Sequence, residues 1–259
     1  MNLIIFKLIL PPFLILSASL AGRRWGDAIG GWLVGLPLTS GPVAAFLAIQ
    51  YSPEFAALSA NGSLVGTAAQ AWFSLGYVYL ARYGSAVAFL GGTVAYAGTA
   101  LLFQAVPVSN LTCFGVGLVS LTVAVRLIPR HGRQVSPITM PWWDLPARMI
   151  VVTAIVVAIT AAASFVGAQI AGMLATFPVF GTIMAIFAHR LKGPEMAAQV
   201  LRGMVLGLYG FAVFFYILSL VLVSVGAIPA FLAATMSALI VQAAVLYFIR
   251  RSRKIRTDS

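Results

Sequence analysis

The chain has 259 residues, 61% of them hydrophobic and 8% charged, and a mean hydropathy of +1.03. That is too little polar surface to coat a water-soluble globule, so a soluble enzyme or binding module is excluded and an all-α integral membrane protein is expected. The net charge of +11 needs no nucleic acid to explain it, because membrane topology alone accounts for where the basic residues fall.

A helix needs roughly 20 apolar residues to cross the hydrocarbon core. Such runs predict nine spans, at about 3 to 20, 28 to 50, 63 to 82, 85 to 106, 109 to 128, 148 to 168, 169 to 189, 203 to 225 and 228 to 249. The first run has small residues behind its apolar core, as a secretory signal does. However, no basic residue precedes it, and Arg23 and Arg24 follow it, so it reads as a retained helix with its amino terminus outside. With that orientation the inner loops and inward helix ends receive Arg23, Arg24, Arg82, Arg126, Arg130, Arg133, Arg148, Arg190, Lys192, Arg202 and the tail from Arg250 to Arg256, and only Lys7 is left over. This is the asymmetry of the positive-inside rule, and it puts the carboxyl terminus in the cytoplasm. The tail would also be drawn to anionic headgroups, but the topological role is the favoured one. The lone Cys113 excludes an internal disulfide and a thiolate metal cluster.

One stretch comes twice. Gly31, Leu33 and Pro37 return 141 positions later as Gly172, Leu174 and Pro178, and the match runs on through Pro53-Glu54 and Pro194-Glu195 to Phe73 and Phe214. A fixed shift of this kind marks a duplicated unit. The second span is separated from its copy, the seventh, by an odd number of crossings, so the two copies are inverted. The unit is five helices. Residues 1–128 form the first copy, 129–146 a cytoplasmic linker ending near the interfacial aromatics Trp142 and Trp143, and 147–259 a second copy without its last helix.

Inverted repeats bring interrupted helices together near the bilayer midplane, where secondary transporters hold their substrates. Pro37 and Pro178 fall near mid-span and each frees the carbonyl four residues back, that of Leu33 and that of Leu174. Thr39, Ser40, Gly41 and Pro42 read as a hydroxyl-capped start of a new half-helix, and Phe180, Gly181 and Thr182 as a weaker version; such starts favour anions. The alternative is a pair of packing kinks. Glu54 and Glu195 either guard the two mouths or complement the dipole in the first turn after a proline, and the second reading is favoured. His189 and Arg190 close the seventh span as an interface pair or as a headgroup site. Asp27 and Lys7 lie near enough to span ends to snorkel. No acid stands at a span centre, which argues against a carboxylate-driven exchanger. His131 and His189 are far apart in sequence, so the paired His and Glu of a membrane metalloprotease are missing, and no metal or other cofactor is expected. Asn61 and Asn110 begin short sequons that read as accidental.

Ile170-Ala171-Gly172, Phe177-Pro178, Phe187-Ala188-His189, Leu201-Arg202, Gly207 and Tyr216 to Leu220 resemble the small bacterial GlpM-type membrane proteins, over residues 147 to 250. The resemblance implies a bacterial inner-membrane protein descended from a half-length ancestor; the first copy departs from it at Thr39 to Pro42. The expected function is that of a secondary transporter or lipid flippase for an anionic or zwitterionic organic substrate. Its partners would be membrane lipids and that substrate, with a homo-oligomer allowed; the alternative is a non-transporting scaffold. With Cys113 replaced by Ser, a Cys at Glu54 should react with an impermeant thiol reagent from outside only, and one at Glu195 from inside only. Labelling of both from one face would overturn the inversion.

Overall fold

The computed structural model describes residues 2–25, 27–35, 37, 40–104, 108–130, 143–147, 149–151, 153–154, 173 and 176–257. Among them every regular element is helical and no strand occurs. In chain order the helices are α1 (Asn2–Trp25), α2 (Asp27–Val34), α3 (Ser40–Gln50), α4 (Pro53–Leu80), α5 (Ser85–Gln104), α6 (Asn110–Leu127), α7 (Val179–Lys192), α8 (Pro194–Val225) and α9 (Ala227–Thr257), with a 3₁₀ turn at Ala81–Tyr83 after α4.

Among the described residues four helices are long and apolar enough to cross a membrane: α5, α6, α8 and α9. This is the build of an integral membrane protein. The first two-thirds of α9 carries the apolar window, Ala227–Tyr247, and Ile228, Leu232, Met236, Leu239 and Ile240 on it stand exposed, as lipid-facing side chains do. The expected second span is divided into α2 and α3, and the sixth, at 148 to 168, lies almost wholly outside the described residues. At 28 residues α4 is long enough to cross, but polar Ser59, Ser63, Thr67, Gln70 and Ser74 keep it out of the apolar set. All five are buried, and Ser63, Thr67 and Ser74 donate to the carbonyls of Ser59, Ser63 and Gln70 one turn back.

Two of the predicted spans begin late. Helix α4 starts at Pro53 and α8 at Pro194, where runs at 63 and 203 were expected. A Pro-Glu first turn starts both helices before the apolar run does, in α4 behind a side-chain cap and in α8 without one. The Ser52 hydroxyl accepts from the Phe55 amide at 3.1 Å, Pro53 sets the first helical φ, and Glu54 lies in the first turn. Helix α8 opens the same way with Pro194 and Glu195, behind Gly193 at φ +91°, and closes at Gly226 at φ +81°, backbone angles that only glycine adopts cheaply.

Contacts along α6 fix how the long helices run. Asn110 and Cys113 meet Asn61 of α4, and Gly117 faces Leu64 and Thr67, so α6 and α4 are parallel. Against α8 the order reverses: Asn110 bonds Ser219, Phe114 stacks on Tyr216 at 4.3 Å, Thr122 meets Tyr209, and Arg202 reaches the carbonyls of Val125 and Ile128. Helices α4 and α8 are therefore antiparallel, and they pack on each other at the centre. Burial agrees with that placement: 61% of the α8 apolar window is inside the protein, against 17% for α5.

Each interrupted segment lies on the long helix of the other half. A Cβ at Gly35 would stand 2.6 Å from the Met204 carbonyl oxygen and 2.7 Å from the Gly207 Cα, so the α2 and α8 backbones touch. Gly66 of α4 leaves room in the same way for the Thr176 side chain. The pairs Gly35 with Gly207 and Thr176 with Gly66 are related by the shift of 141. A Cβ at Gly207 would strike the Trp32 carbonyl, which is backbone and cannot swing aside. Gly207→Ala should therefore lower stability by about 1–3 kcal/mol, whereas Gly98→Ala, in open space, should raise it by about 0.5–1 kcal/mol through helix propensity. Thermal unfolding of both variants in one detergent is the measurement.

Candidate functional site

The break in the first half is made by Gly35 and Pro37. Helix α2 ends at Val34, the Gly35 amide donates to the Trp32 carbonyl at 3.1 Å, and the Gly41 amide returns to the Pro37 carbonyl at 2.9 Å as α3 begins. The carbonyl drawn into the turn is thus that of Trp32, one residue before the half-buried Leu33. Ser40 and Gly41 are buried, with the Phe214 ring 3.4 Å from where a Gly41 Cβ would be. Thr39 and the side chain of Pro42 lie outside the described residues.

The second break is sealed with side chains. The Met173 carbonyl, 141 positions after Trp32, accepts from the Thr176 amide at 3.1 Å, from the Thr176 hydroxyl at 2.7 Å and from the Tyr96 hydroxyl. Tyr96 comes from α5, 77 positions away. Phe177 stands edge-on to Tyr96 at 5.2 Å and to Phe73 at 6.0 Å, which closes an aromatic wall over the turn. Leu174 lies outside the described residues. Pro178 is the N-cap of α7 and gives no side-chain cap; Phe180 is half-buried, Gly181 abuts the flexible Met204 side chain, and Thr182 is buried.

Buried polar atoms without a partner collect beside these breaks. Among the described residues they are the Trp32 indole Nε1, Thr182 Oγ1, Gln242 Oε1 and Ser19 Oγ. The first three belong to residues on or next to chain that packs against one stretch of α8. Trp32 touches Gly207 through its carbonyl, Gly181 beside Thr182 meets Met204, and Gln242 donates its Nε2 to the Gly207 carbonyl while lying against Gly210. An unpaired buried polar group costs about 1–3 kcal/mol, so these atoms ask for a reason.

Glu54 and Glu195 are exposed first-turn residues of α4 and α8. The Glu54 carboxyl is held below its usual range by the backbone amide it bonds and then by Ser52. His189 Nδ1 lies 3.3 Å from the Tyr77 hydroxyl, and the exposed Arg190 reaches Ser85 Oγ at 3.4 Å. The side chains of Asp27 and Lys7 lie outside the described residues. Among the described residues no three His, Cys, Asp or Glu side chains cluster for a metal.

Three functions of side chains were not foreseen. Arg202, expected only as an inward-facing charge, caps the carboxyl end of α6 through the carbonyls of Val125 and Ile128, where a cation also meets the helix dipole. Asn61, expected as an accidental sequon, binds Asn110 at the other end of α6. Asp144, fully buried, pairs with Arg23 of α1 at 2.7 Å. The signal for Tyr96 and Gln242 was a polar residue amid apolar neighbours in a span, which marks a specific contact; Asn61, just ahead of the third run, carried none. No protein-family model, curated protein or solved structure matches the chain.

Tyr96 and Thr176 donate to one carbonyl, so their losses should couple. Tyr96→Phe and Thr176→Val should each cost about 1 kcal/mol. The double variant should cost more than the sum by about 0.5 kcal/mol or more, because only then does the carbonyl lose both hydroxyls. A double-mutant cycle read by thermal unfolding measures this, and simple additivity would mean that the two hydroxyls do not share that carbonyl.

Proposed function

We propose that the protein is a secondary transporter or lipid flippase that moves an anionic or zwitterionic organic substrate by alternating access about the two helix breaks. In this reading it has nine spans in two inverted copies, the amino terminus outside and the carboxyl terminus in the cytoplasm. The bacterial inner membrane is the location that the GlpM-type resemblance suggests.

The observation that carries the reading is reciprocity. Helices α4 and α8, at equivalent positions of the repeat, run antiparallel, and each interrupted segment packs on the long helix of the other half through equivalent small residues, Gly35 on Gly207 and Thr176 on Gly66. Two halves interlocked in this way can rock about the glycine contacts while the breaks open alternately to either side. The unpartnered buried polar atoms beside the breaks are the second support, since a substrate would satisfy them.

The scaffold reading draws on the same glycine contacts. Backbones touching at Gly35 and Gly207, and a Met173 carbonyl already satisfied by two hydroxyls, also fit breaks that serve packing alone. Access separates the two without knowledge of the substrate. In a Cys113→Ser background, single cysteines at Ser40 and Phe180 should react with an impermeant thiol reagent from both faces of sealed vesicles, in slow and incomplete fashion from each. A Cys at Ala124, which is buried away from the breaks, should react from neither. If Ser40→Cys and Phe180→Cys are as inert as the Ala124 control, the breaks are packing kinks and the transporter reading falls.

A further inference from the structure

The start of α7 leaves two backbone amides without an acceptor among the described residues. Of the amides in its first turn, that of Val179 bonds the Phe177 carbonyl and that of Thr182 the Pro178 carbonyl, while those of Phe180 and Gly181 have no acceptor among the described residues. Pro178 cannot cap them. Thr182 is only 5% exposed and its hydroxyl has no partner.

That hydroxyl breaks a local rule. Ser63, Thr67, Ser74, Thr93, Thr99 and Thr122 all donate to the carbonyl four residues back. Thr182 does not use the Pro178 carbonyl. Side chains on a helix lean toward its amino end, so the fourth residue of α7 covers the turn from which the Phe180 and Gly181 amides emerge. From the other break comes Trp32, whose carbonyl meets Gly207 one turn along α8 from the Met204 side chain that Gly181 abuts, and whose indole N–H is also buried and without a partner.

We infer that the first turn of α7, with Thr182 and the Trp32 indole, is an anion subsite that takes the carboxylate or phosphate group of the substrate; the inference rests on the transporter reading and names the charged group that site would hold. Two backbone amides, one hydroxyl and one indole N–H are all donors, and the positive end of the helix dipole adds to them. Among the described side chains the acids stand elsewhere. Glu54 and Glu195 are at exposed helix starts, and Asp144 is taken by Arg23. Burial makes each donor stronger toward an anion than it would be in water.

The test compares purified protein with Thr182→Val and Trp32→Phe by thermal unfolding. The probes are inorganic phosphate and succinate in detergent, against chloride at equal ionic strength, and phosphatidylglycerol nanodiscs against phosphatidylcholine nanodiscs. The parent should gain several degrees, as about 4 °C for a ligand in large excess over its Kd. Protection by phosphate or succinate identifies a soluble anion; protection by phosphatidylglycerol alone identifies a lipid headgroup. Without ligand, Thr182→Val should be as stable as the parent or more so, because it removes an unpaired buried hydroxyl. Its anion affinity should fall about tenfold or more, and Trp32→Phe should act in the same direction. If Thr182→Val does not fold, Trp32→Phe carries the comparison. The subsite is overturned if no anion protects the parent, or if both variants keep full protection. Its failure is distinct from failure of transport, which is decided by labelling at Ser40 and Phe180.

Discussion

The backbone contact between Gly35 and Gly207 is the constraint on which the interior depends. In a bilayer a chain may leave helical geometry only where protein encloses the freed amides and carbonyls. Having α2 and α8 touch at backbone distance encloses the first break without any side chain between them. It also brings the Trp32 carbonyl over Gly207, whose own carbonyl is taken by Gln242 of α9. Any side chain at either glycine would push the helices apart and expose the turn. The second break solves the same problem with chemistry instead of closeness: Gly66 makes room for Thr176, and the hydroxyls of Thr176 and Tyr96 satisfy the Met173 carbonyl.

Helix α6 shows what the interlocked arrangement does to the fifth helix. Asn61 holds its start and Arg202 its end, and these two residues are 141 positions apart. A reversed copy of α6, placed by the same shift, would begin at Arg202 and finish at Asn61. That place is already filled. Under the proposed inverted repeat a single α6 therefore serves both halves. The residue types suit the two ends: the guanidinium meets the carbonyls at the negative end of α6, and the neutral amide of Asn61 meets Asn110 in its first turn.

The same polar interactions explain why so hydrophobic a chain has one arrangement of its helices. Apolar faces slide past one another at little cost in lipid, since lipid tails are as apolar as leucine. Register in this bundle is fixed by Asn110 with Asn61 and Ser219, Thr122 with Tyr209, Arg202 with the end of α6, and Arg23 with Asp144. This half-buried ion pair costs desolvation of Asp144 and returns specificity, because Asp144 left alone would be a buried charge.

Local physics made part of this legible from the sequence. Hydropathy identified the membrane class, Pro53-Glu54 and Pro194-Glu195 marked helix starts, and Pro37 and Pro178 marked the breaks, because capping, proline geometry and apolar run length act over a few residues. Two spans were nonetheless begun late, since a Pro-Glu first turn can start a helix well before its apolar run. What decided the candidate site was not local. Nothing near residue 173 announces that its carbonyl will be met by Tyr96, nor does Thr182 by itself reveal that it will be buried without a partner. Those outcomes follow from helices brought together across 77 positions or more, and an apolar period tells which face of a helix is covered but not which residue covers it.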